Sequence, residues 1–168
     1  MSTKEYDWSR FVVRINVNAP VEKLYEAWAT RSGIEHWFLR LSEYKKPAGD
    51  LLGGNEFAQP GDTYRWLWHG WDDDTSESGS ILSCNGKDFF KFSFGKAGDC
   101  AITIREEQGE MLMELVQDNI PTDPVSIHQW HLGCKTGWTF FLANMKSVYE
   151  GGIDLRNKNV KLQRVLNS

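Results

Sequence analysis

The longest pattern of apolar and polar positions predicts a helix over residues 124–150. At 100° per residue, its apolar side chains fall within an arc of roughly 120°, the width expected of a helix that packs on a sheet. The stripe consists of Ile127, Trp130, Cys134, Trp138, Phe141, Leu142, Met145, Val148 and Tyr149. At 1.5 Å per residue this helix would be about 40 Å long, which is long for a chain of this size.

Both ends of this helix carry the residues expected there. Asp123 is suited to cap the first turn, and Pro124 follows it at the first helical position, where a missing N–H costs nothing. The pair Gly151-Gly152 follows the last apolar residue and can adopt the left-handed conformation that ends many helices.

Two glycines inside the helix, Gly133 and Gly137, require an explanation. Each costs about 1 kcal/mol relative to alanine in a helix interior. One explanation is a close approach between the helix and a neighbouring strand. The other is room for a ligand, or for its entrance.

The rest of the chain is dominated by alternating apolar and polar positions, which predict strands with one buried face. The predicted strands cover residues 11–17, 39–44, 63–69, 77–85, 88–94, 100–107 and 110–118. Asn85-Gly86 is a pair favoured in tight hairpin turns. Two short helices are predicted after the first strand, one beginning at Pro20 and one over residues 32–38.

This order of elements predicts an α+β fold, with a curved antiparallel sheet of about six or seven strands wrapped around the long C-terminal helix. We expect a single domain over residues 1–168, because the chain has no linker or repeat. Residues 152–168 form a polar tail that either docks as a short helix or stays mobile.

The composition of the chain excludes some classes of binding partner. The net charge of −4 comes without a long basic block, and no apolar run approaches 18 residues, so neither nucleic acid nor stable membrane insertion is expected. The polar N-terminus has no apolar centre like that of a signal peptide, which favours a cytoplasmic protein. Cys84, Cys100 and Cys134 are then reduced thiols. No motif indicates a cofactor.

Three short motifs stand out: residues 18–28, Ile34-Glu35-His36-Trp37-Phe38, and Gly53-Gly54 with Glu56-Phe57. The first two resemble the opening, and the third a strand entry, of the START-like, birch-pollen-allergen-like helix-grip (SRPBCC) superfamily. The helix residues Gly137-Trp138, Phe141-Leu142, Met145-Lys146 and Tyr149-Glu150-Gly151-Gly152 resemble the branch named for an activator of the Hsp-90 chaperone ATPase.

The resemblance implies a cavity between sheet and long helix that accepts a small hydrophobic or aromatic molecule, such as a lipid. The candidate ligand-binding residues are Trp66, Trp68, Phe90, Phe92, Met113, Trp130, His131, Cys134, Trp138, Phe141 and Met145. The chain is 13% aromatic and has 8 Trp, so these side chains could line the cavity or fill it.

Two other functions stay open. The branch name suggests a protein-interaction module that regulates a chaperone, and the superfamily also includes cyclases and hydrolases. An enzyme of that kind would use a polar cavity group, with His131 as the first candidate because it lies on the apolar stripe. His128, His131 and Cys134 have the residue types of metal ligands, but their directions diverge around the helix, so no metal is expected.

Overall fold

The computed structural model describes residues 5–162 and 164–166. Its seven strands are β1 (Phe11–Asn16), β2 (Leu41–Lys45), β3 (Thr63–Leu67), β4 (Ser76–Cys84), β5 (Phe89–Ser93), β6 (Asp99–Glu107) and β7 (Glu110–Asp118). Its helices are α1 (Val21–Ala29), α2 (Arg31–Trp37), α3 (Pro124–Ser126), a π-helical segment (Ile127–Leu132) and α4 (Gly133–Tyr149), with a 3₁₀ turn at Gly95–Ala97. We refer to residues 124–149 as the long helix.

The strands form one antiparallel sheet in the order β1-β7-β6-β5-β4-β3-β2. The first strand of the chain therefore pairs with the last, and the remaining strands follow as hairpins. The two short helices connect one edge of the sheet to the other, and the long helix follows β7. The predicted α+β helix-grip fold is confirmed, including the number of strands and the two short helices.

The faces of the sheet follow the alternation in the sequence. Ile104 pairs with Met113 and Ile102 with Leu115, and all four are buried under the helices. The opposite face carries an exposed ion-pair network formed by Arg14, Arg105, Glu107 and Glu114. Such surface pairs contribute little to stability, so burial of the concave face is the main stabilising contribution of the sheet.

The long helix begins and ends as predicted, but it is not a uniform α-helix. The Asp123 side chain accepts hydrogen bonds from the backbone N–H groups of Val125 and Ser126, and Gly151 has a φ of 82° at the C-terminal end. Between these ends, residues 127–132 have the wider π-helical turn. A regular 100° spacing therefore relates residues within α4 to one another, but not to residues before it.

An aromatic layer fills the space between the short helices, the sheet and α4. Trp28, Trp37 and Trp66 are fully buried, and the Trp28 and Trp37 rings meet edge-on at 4.8 Å between centroids. The Trp37 indole N–H donates to the Ala27 carbonyl at 2.9 Å, and the Tyr44 hydroxyl donates to the Trp28 carbonyl at 2.7 Å. These polar tips satisfy buried backbone carbonyls, so the layer combines large apolar area with hydrogen bonding.

A buried polar latch holds the C-terminal half of α4 to the end of α2. The Asn144 side chain donates to the Trp37 carbonyl at 2.7 Å and accepts from the Leu155 N–H at 2.7 Å. Arg156 donates to the Asp154 carboxylate and to backbone carbonyls at the end of α2. Burial opposes ionisation of Asp154, but hydrogen bonds from Arg156 and Lys158 outweigh it and hold the pKa of this carboxyl well below its usual range.

Two local expectations differ from the structure or lie partly outside it. Asn85-Gly86 does not form a two-residue turn, because the Asn85 side chain accepts N–H groups from Lys87, Asp88 and Phe89 and spans a four-residue connection between β4 and β5. The described residues of the 152–168 tail contain no helix, while residues 163, 167 and 168 lie outside the described residues. No helix in the described ranges is long and apolar enough to cross a membrane.

We expect Asn144→Leu to destabilise the protein by about 3 kcal/mol, because it leaves a carbonyl at the end of α2 and an N–H of the tail without partners. Urea unfolding measures this change in the free energy of unfolding. Ala143→Leu is the matched control, since Ala143 is the exposed neighbour on the same helix and should change stability by less than about 0.5 kcal/mol. Equal effects of the two substitutions would contradict the structural role of the latch.

Candidate functional site: an aromatic cavity beside the long helix

A cavity of about 550 Å³ opens between the N-terminal half of the long helix and the strand ends of β3, β4 and β5. Its volume lies within the range of small-molecule pockets. It is lined by Phe38, Trp68, Trp71, Thr75, Glu77, Phe94, Ala97, Gln129, Trp130, Gly133, Cys134, Thr136, Gly137, Trp138, Phe140, Phe141 and Leu166.

Aromatic rings form much of the wall, from the rim to the floor. Trp71 is exposed at the rim, while Trp68 and Trp130 are half-buried farther in. Phe38 and Trp138 are buried at the deep end, with 5.0 Å between their ring centroids. Burial of the rings therefore increases from Trp71 to Trp138, and aromatic side chains of this kind are common in pockets for apolar molecules.

The floor is fixed by a hydrogen bond to the sheet. The Trp138 indole N–H donates to the Gln117 side-chain carbonyl at 2.8 Å, and the Gln117 amide donates to the Ala97 carbonyl at 2.8 Å. Gln117 is fully buried on β7, so its amide has one orientation that satisfies both partners. The indole is thereby held across the gap between helix and sheet, with the cavity on one side and the packed aromatic layer on the other.

The two glycines of the long helix leave room for the cavity. A Cβ placed on Gly137 would have no atom within 4 Å outside its own helix turn, and one on Gly133 would meet only the His128 carbonyl at 3.7 Å. The first explanation from the sequence, a close approach to a strand, is therefore wrong. Both glycines line the cavity, as the second explanation requires.

The π-helical segment forms part of the same wall. It includes Gln129 and Trp130, and the Gly133 N–H that follows it donates back to the His128 carbonyl. Single π turns are rare and occur often at functional sites, because they widen the helix and redirect the side chains on it. Here the redirected turn coincides with the cavity.

Glu77 is the charged side chain among the cavity-lining residues. It lies opposite Trp66 in the β3–β4 pairing, and residues directly opposite share a face, so the register turns its carboxylate toward the inside of the sheet. Burial raises the pKa of the Glu77 carboxyl, and the hydrogen bond from the Ser78 N–H acts against this shift. Within residues 5–162 and 164–166, no cation forms an ion pair with it.

The glutamate was not identified from the sequence, although a signal for it exists. Positions 77, 79 and 81 alternate with exposed positions of β4, and Ile81 is buried, so Glu77 belongs to the inward set. A charged residue at an inward position is the unusual feature. Gly95 contributes as well: it has a φ of 51°, and a Cβ there would lie 2.6 Å from the Glu77 carboxylate.

Cys134 also lines the cavity, on the helix side. Burial raises the pKa of its thiol, and the nearby Glu77 charge adds to the effect. The thiol is therefore protonated at neutral pH and is a weak nucleophile. Among the described residues, no three His, Cys, Asp or Glu side chains are grouped closely enough to hold a metal ion.

The structure brings part of the predicted site together. Trp68, Trp130, Cys134, Trp138 and Phe141 line the cavity. Five others, Trp66, Phe90, Phe92, Met113 and Met145, are buried in the core beyond its floor. Ligand contact by the lining residues remains a prediction.

His131 lies outside the cavity. It is fully buried, with its Nδ1–H donating to the Trp8 carbonyl at 2.8 Å and its Nε2 hydrogen-bonded to the Tyr6 hydroxyl at 3.0 Å. Its ring also meets the rings of Tyr6, Trp8 and Phe11 edge-on, within 5.5 Å of each centroid. The histidine fastens the segment before β1 to the long helix, so the structure does not place it where an acid–base group for a bound ligand would be.

We expect Glu77→Gln to gain stability relative to the wild type as the pH rises. Below the ordinary carboxyl pKa of 4.5, Glu77 is protonated in both the folded and the unfolded chain. Above it, the unfolded chain releases this proton more readily than the folded one, so the wild type loses stability until the pH exceeds the raised folded pKa. Urea unfolding of both proteins between about pH 4 and about pH 8 measures the difference.

Glu106→Gln is the control, because Glu106 is exposed on β6 and reports the effect of removing one surface charge. The stability gained by Glu77→Gln should rise with pH more than the stability gained by Glu106→Gln. Equal pH dependence of the two variants would contradict the burial of the Glu77 carboxyl.

Solved structures with similar folds include several bacterial proteins. The protein SSP2350 from Staphylococcus saprophyticus is 20% identical, with a TM-score of 0.67 over 88% of this chain and 96% of that one. The Aha1 dimer from Colwellia psychrerythraea is 16% identical, with a TM-score of 0.62 over 85% and 97%. CalU16 from Micromonospora echinospora is 19% identical, with a TM-score of 0.57 over 84% and 76%. At these identities the likeness shows the fold.

The sequence itself identifies the family. No curated protein sequence matches this chain significantly. The family described as "Activator of Hsp90 ATPase homolog 1-like protein" matches residues 18–150, which extend from the end of β1 to the end of the long helix and include most of the cavity wall. The chain therefore belongs to the AHSA1 family, in the activator-type branch of the helix-grip superfamily.

Proposed function

We propose that this protein binds a small hydrophobic or aromatic molecule in the cavity beside the long helix. The observation that carries the proposal is the open space opposite Gly137, because alanine would fit there and is about 1 kcal/mol more favourable than glycine in a helix interior. The aromatic lining and the volume of about 550 Å³ support it.

The depth of the cavity favours a molecule with one buried apolar end. Phe38, Trp138 and Phe141 are buried at the closed end, whereas Trp71 and Thr136 are accessible to solvent. The apolar end gains free energy by leaving water against these rings, and the other end can stay hydrated at the rim. The ligand therefore does not need to be completely enclosed by the protein.

Gly137→Leu is expected to block the cavity without unfolding the protein. The new side chain begins in open space, and leucine is about 0.8 kcal/mol more favourable than glycine in a helix. We expect N-phenyl-1-naphthylamine, a neutral dye that fluoresces in apolar sites, to bind the wild type saturably. Its affinity for the variant should be lower by at least about tenfold. Displacement of the dye by fatty acids, sterols and flavonoids then ranks ligand classes.

Ala143→Leu is the matched control for this experiment, since it places the same side chain on the exposed face of the same helix. Its dye affinity should equal that of the wild type. The absence of saturable binding to the wild type would refute the proposal, and equal binding to all three proteins would place the dye elsewhere.

A second proposal is regulation of a chaperone ATPase, which the family description supports. The test is the ATPase rate of the purified ninety-kilodalton chaperone from the source organism, with and without this protein. We expect stimulation that saturates near stoichiometric amounts if the chaperone is the partner. An unchanged rate, together with separate elution of the two proteins in size-exclusion chromatography, would exclude it.

A further inference from the structure

The carboxylate of Glu77 is held in the cavity by the backbone on both sides. The β3–β4 register places it opposite the buried Trp66, and its oxygens occupy the space where a Cβ on Gly95 would lie, 2.6 Å away at the nearest. The Ser78 N–H donates to one oxygen at 3.1 Å. One neutral donor leaves most of the acceptor capacity of a carboxylate unused, and the residues that the structure describes supply no cation to it.

The surroundings of this carboxylate discriminate between charged ligands. Four tryptophans, Trp68, Trp71, Trp130 and Trp138, line the same cavity. The faces of aromatic rings carry partial negative charge and attract cations, whereas an anion is attracted only by their edges and by indole N–H groups. A ligand carboxylate would also meet the half-buried Glu77 as a like charge, and this repulsion would weaken its binding.

We infer that the cavity selects an apolar organic cation, an amine or quaternary ammonium compound whose charged nitrogen lies near Glu77 and whose hydrocarbon part lies among the aromatic rings. This inference rests on the proposed function, because it specifies the chemical class of the molecule that the cavity binds. The cation would supply the partner that the carboxylate lacks, and the tryptophans would add cation–π attraction.

Three compounds with the same hydrocarbon chain test the inference: octyltrimethylammonium, octan-1-ol and octanoate. Their affinities for the wild type are measured directly by titration calorimetry. We expect octyltrimethylammonium to bind about tenfold more tightly than octanol, and octanoate to bind more weakly than both. In Glu77→Gln, which keeps the shape and removes the charge, the ratio of the first two affinities should fall by about tenfold.

Glu106→Gln is the control, since it removes an exposed negative charge outside the cavity and should leave the ratio unchanged. Octanol or octanoate binding the wild type as tightly as octyltrimethylammonium would overturn the inference, and so would a ratio unaffected by Glu77→Gln. Either result leaves the proposed function intact if N-phenyl-1-naphthylamine still binds and Gly137→Leu blocks it. If neither the dye nor any octyl compound binds, the proposed ligand binding and the inferred selectivity for cations both fail.

Discussion

The hydrogen bond between the Trp138 indole and the Gln117 amide determines where the core ends and the cavity begins. Both groups are buried, so breaking the bond would leave an indole N–H and an amide carbonyl without adequate partners. The bond therefore fixes the rotation of α4 about its axis relative to β7. The side of the indole toward Trp28 and Phe92 is packed, and the other side faces the open space.

With this rotation fixed, the two halves of the long helix have different roles. The C-terminal half is fastened by Asn144 to the end of α2 and to the tail, and its apolar residues are packed. The N-terminal half has no such fastening to α2. It carries the π turn and the glycines, and His131 anchors it on the opposite side, to residues before β1. The cavity lies at this half of the helix.

The sequence predicts the fold well because each strand shows its own alternation, and the ends of the long helix carry local capping residues such as Asp123. It predicts the site less completely. Alternation tells which face a residue belongs to but not its depth, so Phe92 and Trp68 looked equivalent although one is in the core and one lines the cavity. The π turn has no periodic signature, so a 100° spacing puts His131 on the buried side of the helix but does not show that it lies outside the cavity. Glu77 shares the inward face of β4 with Ile81, so alternation carries a signal for it, and the pairing with β3 shows that this position lies opposite the buried Trp66.

Locally unfavourable choices are concentrated around the cavity. Gly133 and Gly137 each cost the helix about 1 kcal/mol relative to alanine, and the space opposite Gly137 would accept a methyl group without a clash. Glu77 adds a carboxylate whose charged form burial disfavours. Among its described residues, the C-terminal half of the same helix has neither an interior glycine nor a buried carboxylate without an ion pair. Folding alone would favour alanine at 137 and an apolar residue at 77, and the proposed ligand would account for the glycine and the glutamate present there.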